Sequence, residues 1–271
     1  MLTVTMPKKV SDTGRRGVIL RRIVVGLIIA YSAVHLGYSV WRYGIGDHDA
    51  ATFTYGADVR RPWTEARKWK GTGFLDFEDT IYPPLYYALL LPTTDLDYRV
   101  VEPILYYFQF LLYIGAIWLM VKTVYIGRGP PLMAYVVATV LTVNFHPFLE
   151  TLALYKVEGW EFFLICLAIY AFRHKRDMAT GIIIVLAANL KYLPGLLIVY
   201  FLVKRERRVI MGMLAGCALL LAVLLPIFGP ETLWRYVTYT PVVLFGQSLK
   251  GTGAWASLEF QTLTGTVTRL F

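Results

Sequence analysis

A short polar stretch, residues 46–55, contains the side chains whose types best suit chemistry. It reads GDHDAATFTY, follows an apolar run that ends near Trp41, and carries Asp47, His48 and Asp49. A carboxylate can act as a general base when a substrate hydroxyl comes within hydrogen-bond reach. On residue types alone, a solvated loop or a helix N-cap is the simpler interpretation, because aspartate is common at both. A metal site is a weaker alternative, because three successive side chains seldom converge on one ion.

Further polar side chains lie beside later apolar runs. Tyr82 opens the sequence YPPL, and two adjacent prolines can begin a helix but cannot lie inside one. A second group stands between two apolar runs and consists of His146, Glu150, Lys156, Glu158 and Glu161. Several ionisable groups at one membrane level line a cavity more often than they face lipid. We therefore expect this second group to line a cavity.

Two cations, Lys191 and Arg269, could bind an anion. Lys191 lies in the sequence AANLKYLP at the centre of a long apolar stretch. A lysine there either extends its ammonium to the interface or neutralises a lipid-linked phosphate. Arg269 follows the sequence QTLTGTVT and is either an interface anchor or a bidentate phosphate ligand. Position alone favours neither interpretation of Arg269.

The composition indicates that lipid is the main solvent for this chain. Of its 271 residues, 57% are hydrophobic and only 17% are charged, which is too apolar for an ordinary soluble domain. The formal net charge is +9, and the basic residues stand in short clusters beside apolar runs. Such clusters indicate topology, so no nucleic-acid partner is expected. The sequence has no Gly-rich phosphate loop or dinucleotide fingerprint, and we predict no cofactor.

Helices must position these residues, because a backbone in lipid has to satisfy its own hydrogen bonds. We predict an all-α, polytopic membrane protein with about seven transmembrane helices of roughly 20 residues each, plus interfacial and half-spanning helices on the outer face. The chain is predicted to form one membrane domain, 1–271. Its parts are a first span (22–41), an outer loop with interfacial helices (42–81), a membrane bundle (82–228) and an outer segment (229–271).

The apolar stretch 178–203 is predicted to be a hairpin of two short helices. Basic clusters at 173–176 and 204–208 flank it, and a single crossing would put one of them outside, against the positive-inside rule. Lys191 and Pro194 mark the turn, because lysine is costly in lipid and proline removes a helix hydrogen bond. With a cytoplasmic N-terminus, the outer face receives both the loop 42–81 and the turn at Lys191.

The segment 50–70 of that outer loop mixes aromatic and basic residues. This composition is typical of helices that lie in the membrane interface. We expect Trp63 and Trp69 at the level of the lipid headgroups, with the neighbouring cations directed toward phosphates.

Four motifs in this order resemble glycosyltransferase family 87. That family consists of integral-membrane glycosyltransferases of the C-type fold and includes polyprenyl-phosphate-mannose-dependent α-mannosyltransferases. The motifs are Asp49 with Phe53, YPPL from Tyr82, AANLKYLP with Lys191, and QTLTG followed by Arg269. Together they extend over most of the chain.

The resemblance implies a general base on the aspartate after the first span, where Asp49 fits better than Asp47 by its spacing to Phe53. It also implies inverting transfer of a hexose, here mannose, from a polyprenyl-phosphate sugar to a lipid or glycan acceptor. The reaction would occur at the outer face of the plasma membrane, with Lys191 and Arg269 stabilising the leaving phosphate. Further predicted substrate-binding residues are His48, Tyr82, His146 and Glu158.

Two other functions are compatible with the sequence. The stretch 158–161 reads EGWE where family members commonly show a Gly-Gln-x-Asn type sequence, which favours a non-catalytic lipid-carrier binder or translocase of the same fold. A proton-coupled transporter would also need intramembrane ionisable groups, although no inverted repeats are visible. The sequence ends after about seven predicted spans, fewer than the resemblance implies, so we expect either a fragment or a minimal relative.

Overall fold

The computed structural model describes residues 12–44, 57–75, 82–127, 129 and 131–244 of the chain. Within these ranges the structure is helical and has no strand, which confirms the all-α prediction. The α-helices are α1 (Asp12–Gly44), α2 (Ala57–Thr72), α3 (Pro84–Leu90), α4 (Tyr98–Val124), α5 (Leu132–Val143), α6 (His146–Leu154), α7 (Glu158–Arg173), α8 (Asp177–Ala188), α9 (Gly195–Lys204) and α10 (Arg207–Leu244). A 3-10 turn, Leu91–Thr93, continues α3.

Three of the described helices are long and apolar enough to cross a membrane, namely Arg22–Trp41, Tyr98–Val124 and Arg207–Thr238. A fourth crossing is available if α5 and α6 act as one span, although they meet at 70°. Helices α8 and α9 have only 12 and 10 residues, so at about 1.5 Å per residue each is far shorter than a hydrocarbon core of about 30 Å. By length and composition, the described residues thus give three or four candidate spans, and the count of about seven stays a prediction.

Glycines bring α8 and α10 into close contact. A Cβ at Gly212 would lie 2.2 Å from the carbonyl oxygen of Met178, and one at Gly216 would lie 3.1 Å from the Cα of Ile182. Since both positions advance by four residues in each helix, α8 and α10 run in the same direction. After α8, a non-helical connection that contains Lys191 leads into α9. Helix α9 must therefore run in the reverse direction and return the chain to the start of α10.

Helices α4 and α7 also run in the same direction. Gly159 at the start of α7 faces Gln109, and Phe163, one turn later, faces Gly115. The Gln109 side chain, which is buried, donates a hydrogen bond to the backbone carbonyl of Thr151 at 3.1 Å and so joins α4 to α6. A connection of three residues, 174–176, reverses the chain from α7 into α8, and the two helices pack against each other.

Helix α2 lies against the protein along one face. Its apolar residues Val59, Trp63 and Ala66 recur at helical spacing and are buried. The ring of Trp63 packs on Tyr98 with centroids 5.1 Å apart, and the half-buried Trp69 packs on Phe228 at 4.9 Å. Both tryptophans thus contact protein, whereas the sequence predicted headgroup contacts, because the apolar face of α2 packs on α3 and on the 3-10 turn that follows it.

A kink divides α10 next to these contacts. Gly229 adopts φ 74°, a left-handed value that suits glycine, and prolines at 226 and 230 flank it. The part after the kink contacts the end of the α2 region and the α8–α9 connection: Arg235 stacks on Phe74, and the Tyr236 hydroxyl donates a hydrogen bond to the hydroxyl of Tyr192 at 3.0 Å.

Candidate active site

The predicted site residues fall into two groups. Those that lie outside the described residues are Asp47, His48, Asp49 and Arg269. Tyr82, Glu158 and Lys191 are described with their side chains, and the backbone of His146 begins α6. The described part of the site is formed by α2, α3, α6, α7 and the α8–α9 connection.

An ion pair joins α7 to the α8–α9 connection. The Lys191 ammonium donates a hydrogen bond to Glu158 Oε1, although the two residues are 33 positions apart. Glu158 is the first residue of α7, where the helix dipole favours a carboxylate. The side chains are 34% and 37% exposed, so solvent reaches the pair. The lysine that the sequence assigned to a phosphate is thus already paired with a carboxylate.

A second ion pair lies just before α7. Helix α6 ends at Leu154, and Tyr155 caps it in the left-handed conformation. This turn brings Lys156 back toward α6. There its ammonium donates a hydrogen bond to Glu150 Oε1 at 2.7 Å. Lys156 and Lys191 therefore both have carboxylate partners.

Asp58 is the functional candidate that sequence reasoning missed. It lies half-buried in the first turn of α2, and burial raises the pKa of its carboxyl above the ordinary value. After burial, the largest effects on this pKa come from the residues of the two ion pairs. Lys156 and Lys191 lower the pKa of Asp58, and Glu158 raises it. The carboxyl of Asp58 is therefore coupled electrostatically to both pairs. A signal existed in the sequence, because positions 58, 62, 66 and 69 share one face of a helix.

Two tyrosines from the YPPL region complete the same side of the site. Proline 84 opens α3, so Tyr82 lies just before the helix and Tyr86 in its first turn. Their rings pack with centroids 4.9 Å apart, and Tyr86 meets the edge of Trp160 at 6.0 Å. Burial raises the pKa of Tyr82, and the charges of Asp58 and Glu158 raise it further. The fully buried Tyr86 hydroxyl has no hydrogen-bond partner among the described residues.

Glu161, one turn into α7, adds a buried carboxyl. It is 5% exposed, and its Oε1 has no hydrogen-bond partner in the described part of the chain. The charged groups that act on it are Lys191 and Glu158. Because Glu158 and Glu161 are three positions apart on a helix, they project from the same face. We call the set of Asp58, Tyr82, Tyr86, Glu158, Glu161 and Lys191 the carboxylate cluster.

The side chains of the carboxylate cluster limit the kinds of ligand that it could bind. Within the described residues, no three His, Cys, Asp or Glu side chains are arranged to hold a metal ion. The cluster instead offers carboxylates, paired cations and aromatic edges, which suit hydrogen bonding to a polar ligand.

Replacing Asp58 with asparagine should make the protein more stable at neutral pH. A carboxyl whose folded pKa is raised stabilises the fold at low pH, and that contribution is lost as pH rises through the folded pKa. Asparagine has no proton to lose. Thermal unfolding in detergent should therefore give equal midpoints for the variant and wild type near about pH 4, and a higher midpoint for the variant at pH 7. A midpoint difference that is constant over this range would contradict the assigned environment of Asp58.

Comparison with known proteins gives one match. A sequence profile of glycosyltransferase family 87 matches residues 80–271 of the chain. This range contains Tyr82, Glu158, Lys191 and Arg269, whereas Asp49 and Asp58 precede it. No curated protein and no solved structure matches the sequence.

Proposed function

The chain belongs to glycosyltransferase family 87, and from this premise we propose that it transfers a hexose, mannose in the first instance, from a polyprenyl-phosphate sugar to a lipid or glycan acceptor. The family indicates a membrane glycosyltransferase, in agreement with the apolar helices of the chain. The donor, the acceptor and the reaction at the outer face of the plasma membrane are part of the proposal.

The observation that supports the proposal most directly is the convergence of distant residues within the matched region. Tyr82, Glu158 and Lys191 come from three separate parts of the chain: Lys191 is bound to Glu158, and Tyr82 packs through Tyr86 on Trp160 in the first turn of α7. The charge of Asp58 acts on Tyr82, and those of Glu158 and Lys191 act on Asp58. Four elements that are separate in sequence thus present polar groups to one place, as a binding site requires. Ionisable groups in membrane proteins commonly face a water-filled cavity or a substrate path rather than lipid.

The direction of the helices supports a single outer face. Because α8 and α10 run in the same direction, the basic residues that precede each of them, 173–176 and 204–208, lie at the same end of the bundle. The positive-inside rule makes that end cytoplasmic. Glu158 begins α7 and Lys191 follows the end of α8. Their ion pair therefore lies at the end of the bundle away from the basic clusters. We infer a C-type fold of about seven crossings, in which the short helices α8 and α9 go out and back.

The proposed reaction is an inverting displacement. Asp49 removes the proton from the acceptor hydroxyl, and the oxygen attacks the anomeric carbon of the donor. The new glycosidic bond forms as the bond from that carbon to the phosphate oxygen breaks, and polyprenyl phosphate leaves with the electron pair. Arg269 stabilises the charge on the leaving phosphate. Asp47 and His48 orient the base, and His146 and Tyr82 contact substrate.

A transfer assay tests the proposal. Purified protein in lipid vesicles would receive polyprenyl-phosphate mannose labelled in the sugar, together with a lipid extract as acceptor. We expect labelled product from this donor and none from GDP-mannose. Movement of the labelled donor between leaflets without product would instead indicate a translocase, and proton-driven uptake of a solute would indicate a transporter.

Reversing the Glu158–Lys191 pair should separate folding from activity. Glu158→Lys or Lys191→Glu alone puts like charges together, so each should lower the unfolding temperature and reduce transfer at least about tenfold. The double variant restores opposite charges and should recover the unfolding temperature but not transfer, because the substrate would meet the wrong charge. Reversal of the exposed Lys70–Asp95 pair is the matched control and should leave transfer unchanged. Full activity in the Glu158–Lys191 double variant would show a structural role only.

A further inference from the structure

In the carboxylate cluster the lysine is paired with a carboxylate, whereas several buried oxygens have no hydrogen-bond partner among the described residues. Lys191 is bound to Glu158, and next to the cluster Lys156 is bound to Glu150. Three buried oxygens have no hydrogen-bond partner among the described residues, namely Glu158 Oε2, Glu161 Oε1 and the hydroxyl oxygen of Tyr86. Buried polar atoms without partners are rare and costly in folded proteins. The cluster therefore has hydrogen-bonding capacity that the described chain does not use.

The three oxygens belong to one site. Glu158 and Glu161 project from the same face of α7, and Lys191 acts on both. Tyr86 comes from α3, and its ring meets the edge of Trp160, which lies between Glu158 and Glu161 in the first turn of α7, at 6.0 Å. The charges of Glu158 and Asp58 act on its hydroxyl. Tyr86 and Glu161 are 0% and 5% exposed, so both are fixed by packing rather than free in water.

The balance of charge selects the ligand. Among the described residues, the two lysines Lys156 and Lys191 each have a carboxylate partner, while Asp58 and Glu161 add further carboxyls. A phosphate or another anion would be repelled, whereas hydroxyl groups can donate hydrogen bonds to carboxylate oxygens. The neighbouring rings of Tyr82 and Trp160 offer apolar surface of the kind that the C–H faces of a sugar can cover.

We propose that the carboxylate cluster is the subsite that binds the hydroxyl groups of the transferred hexose, a neutral sugar, and that the lipid-linked phosphate lies outside it. This inference rests on the proposed glycosyl transfer and adds the chemistry of its sugar. Glu161 and Tyr86 are then specificity-determining residues. The site accepts a hexose and rejects the corresponding uronic acid, because a sugar carboxylate would meet Glu158 and Glu161.

A ligand-binding role and a structural role predict opposite effects on stability. Tyr86→Phe and Glu161→Gln keep the shape of each side chain and alter only the oxygens in question. If these oxygens served the fold, the variants would unfold at lower temperature. Because they lack protein partners among the described residues, we expect unfolding temperatures equal to or above that of wild type together with weaker sugar binding.

Saturation-transfer NMR on the full chain in lipid nanodiscs measures that binding. The probes are methyl α-D-mannopyranoside, methyl α-D-glucopyranoside and methyl α-D-mannopyranosiduronate. We expect wild type to bind a hexoside and not the uronide, and the two variants to bind about 10- to 100-fold more weakly, the range for hydrogen bonds to charged groups. Glu65→Gln is the matched control, because Glu65, like Glu161, has a buried carboxyl oxygen without a hydrogen-bond partner among the described residues, but it lies outside the carboxylate cluster.

The binding and transfer assays together separate the two proposals. Hexoside binding that Tyr86→Phe and Glu161→Gln weaken, with no transfer from any polyprenyl-phosphate hexose, would support the subsite and refute the proposed reaction. Transfer by wild type, with both variants binding and transferring as well as wild type, would refute the subsite and support the reaction. Preference for the uronide, or no hexoside binding by wild type, would also overturn the subsite.

Discussion

Replacing Asp49 with asparagine is expected to lower the rate of sugar transfer by about 100- to 10,000-fold, the usual contribution of a general base. Asparagine has the shape of aspartate but cannot accept the proton of the acceptor hydroxyl, so the attacking oxygen stays a poor nucleophile. Binding of the donor should change little, because the donor is held by other groups. The measurement is kcat and KM for transfer in vesicles, and the loss should fall on kcat.

Two comparisons make the Asp49 prediction specific. Asp47→Asn should reduce transfer less, by about tenfold, because that carboxylate is proposed only to orient the base. Asp95→Asn, at an exposed carboxylate that pairs with Lys70, should leave the rate unchanged and controls for handling of the protein. The proposal for Asp49 would fail if its asparagine variant kept wild-type kcat, or if Asp47→Asn gave the larger loss.

Local features of the fold could be predicted from the sequence because they depend on neighbours in the chain. The apolar composition required helices, and the prolines of YPPL marked the start of α3 at Pro84. Lysine and proline inside an apolar stretch indicated an interruption, and the chain is non-helical between Ala188 and Gly195. In each case a few adjacent residues decide the conformation, since proline restricts the backbone and a charge is costly in lipid.

The partners of the site residues could not be predicted, because they depend on how helices pack. The pairing of Lys191 with Glu158 requires α7 and α8 to lie antiparallel with their ends in register. Periodicity assigns a buried face to a helix but does not say which element covers it. Asp58 illustrates the difference: its face could be read from the sequence, whereas its electrostatic coupling to two ion pairs required α2 to dock on α3 and α6.

The ion pairs also change the chemical interpretation of the site. From the sequence, Lys191 was a free positive charge for a phosphate, and in the structure Glu158 already neutralises it. Glu158 thus sets the charge at this place, because without its carboxylate the lysine would be available for an anion. The carboxyl groups around the pair favour a hydroxyl-bearing ligand, and phosphate binding is therefore proposed for a cation elsewhere, Arg269.

Replacing Gly212 with alanine should abolish stable folding of the bundle. The new Cβ would lie 2.2 Å from the carbonyl oxygen of Met178 and 2.9 Å from its Cα, and no side-chain rotation can relieve a contact between backbones. Helices α8 and α10 would have to move apart along a seam that also includes Gly181 and Gly216. Overpacking of this kind costs about 3 kcal/mol or more where neither side can yield.

The same substitution tests the link between this packing and the site. Because α8 leads directly into the connection that contains Lys191, separation of α8 from α10 should displace the Glu158–Lys191 pair and remove transfer from any protein that still folds. Thermal unfolding and the yield of monodisperse protein in detergent give the stability. Gly26→Ala is the control, since Gly26 is also in a membrane helix but a Cβ there would meet nothing within 4 Å. Equal stability of the two alanine variants would mean that α8 and α10 lie farther apart in the membrane, and the position of Lys191 would then have to depend on α7 alone.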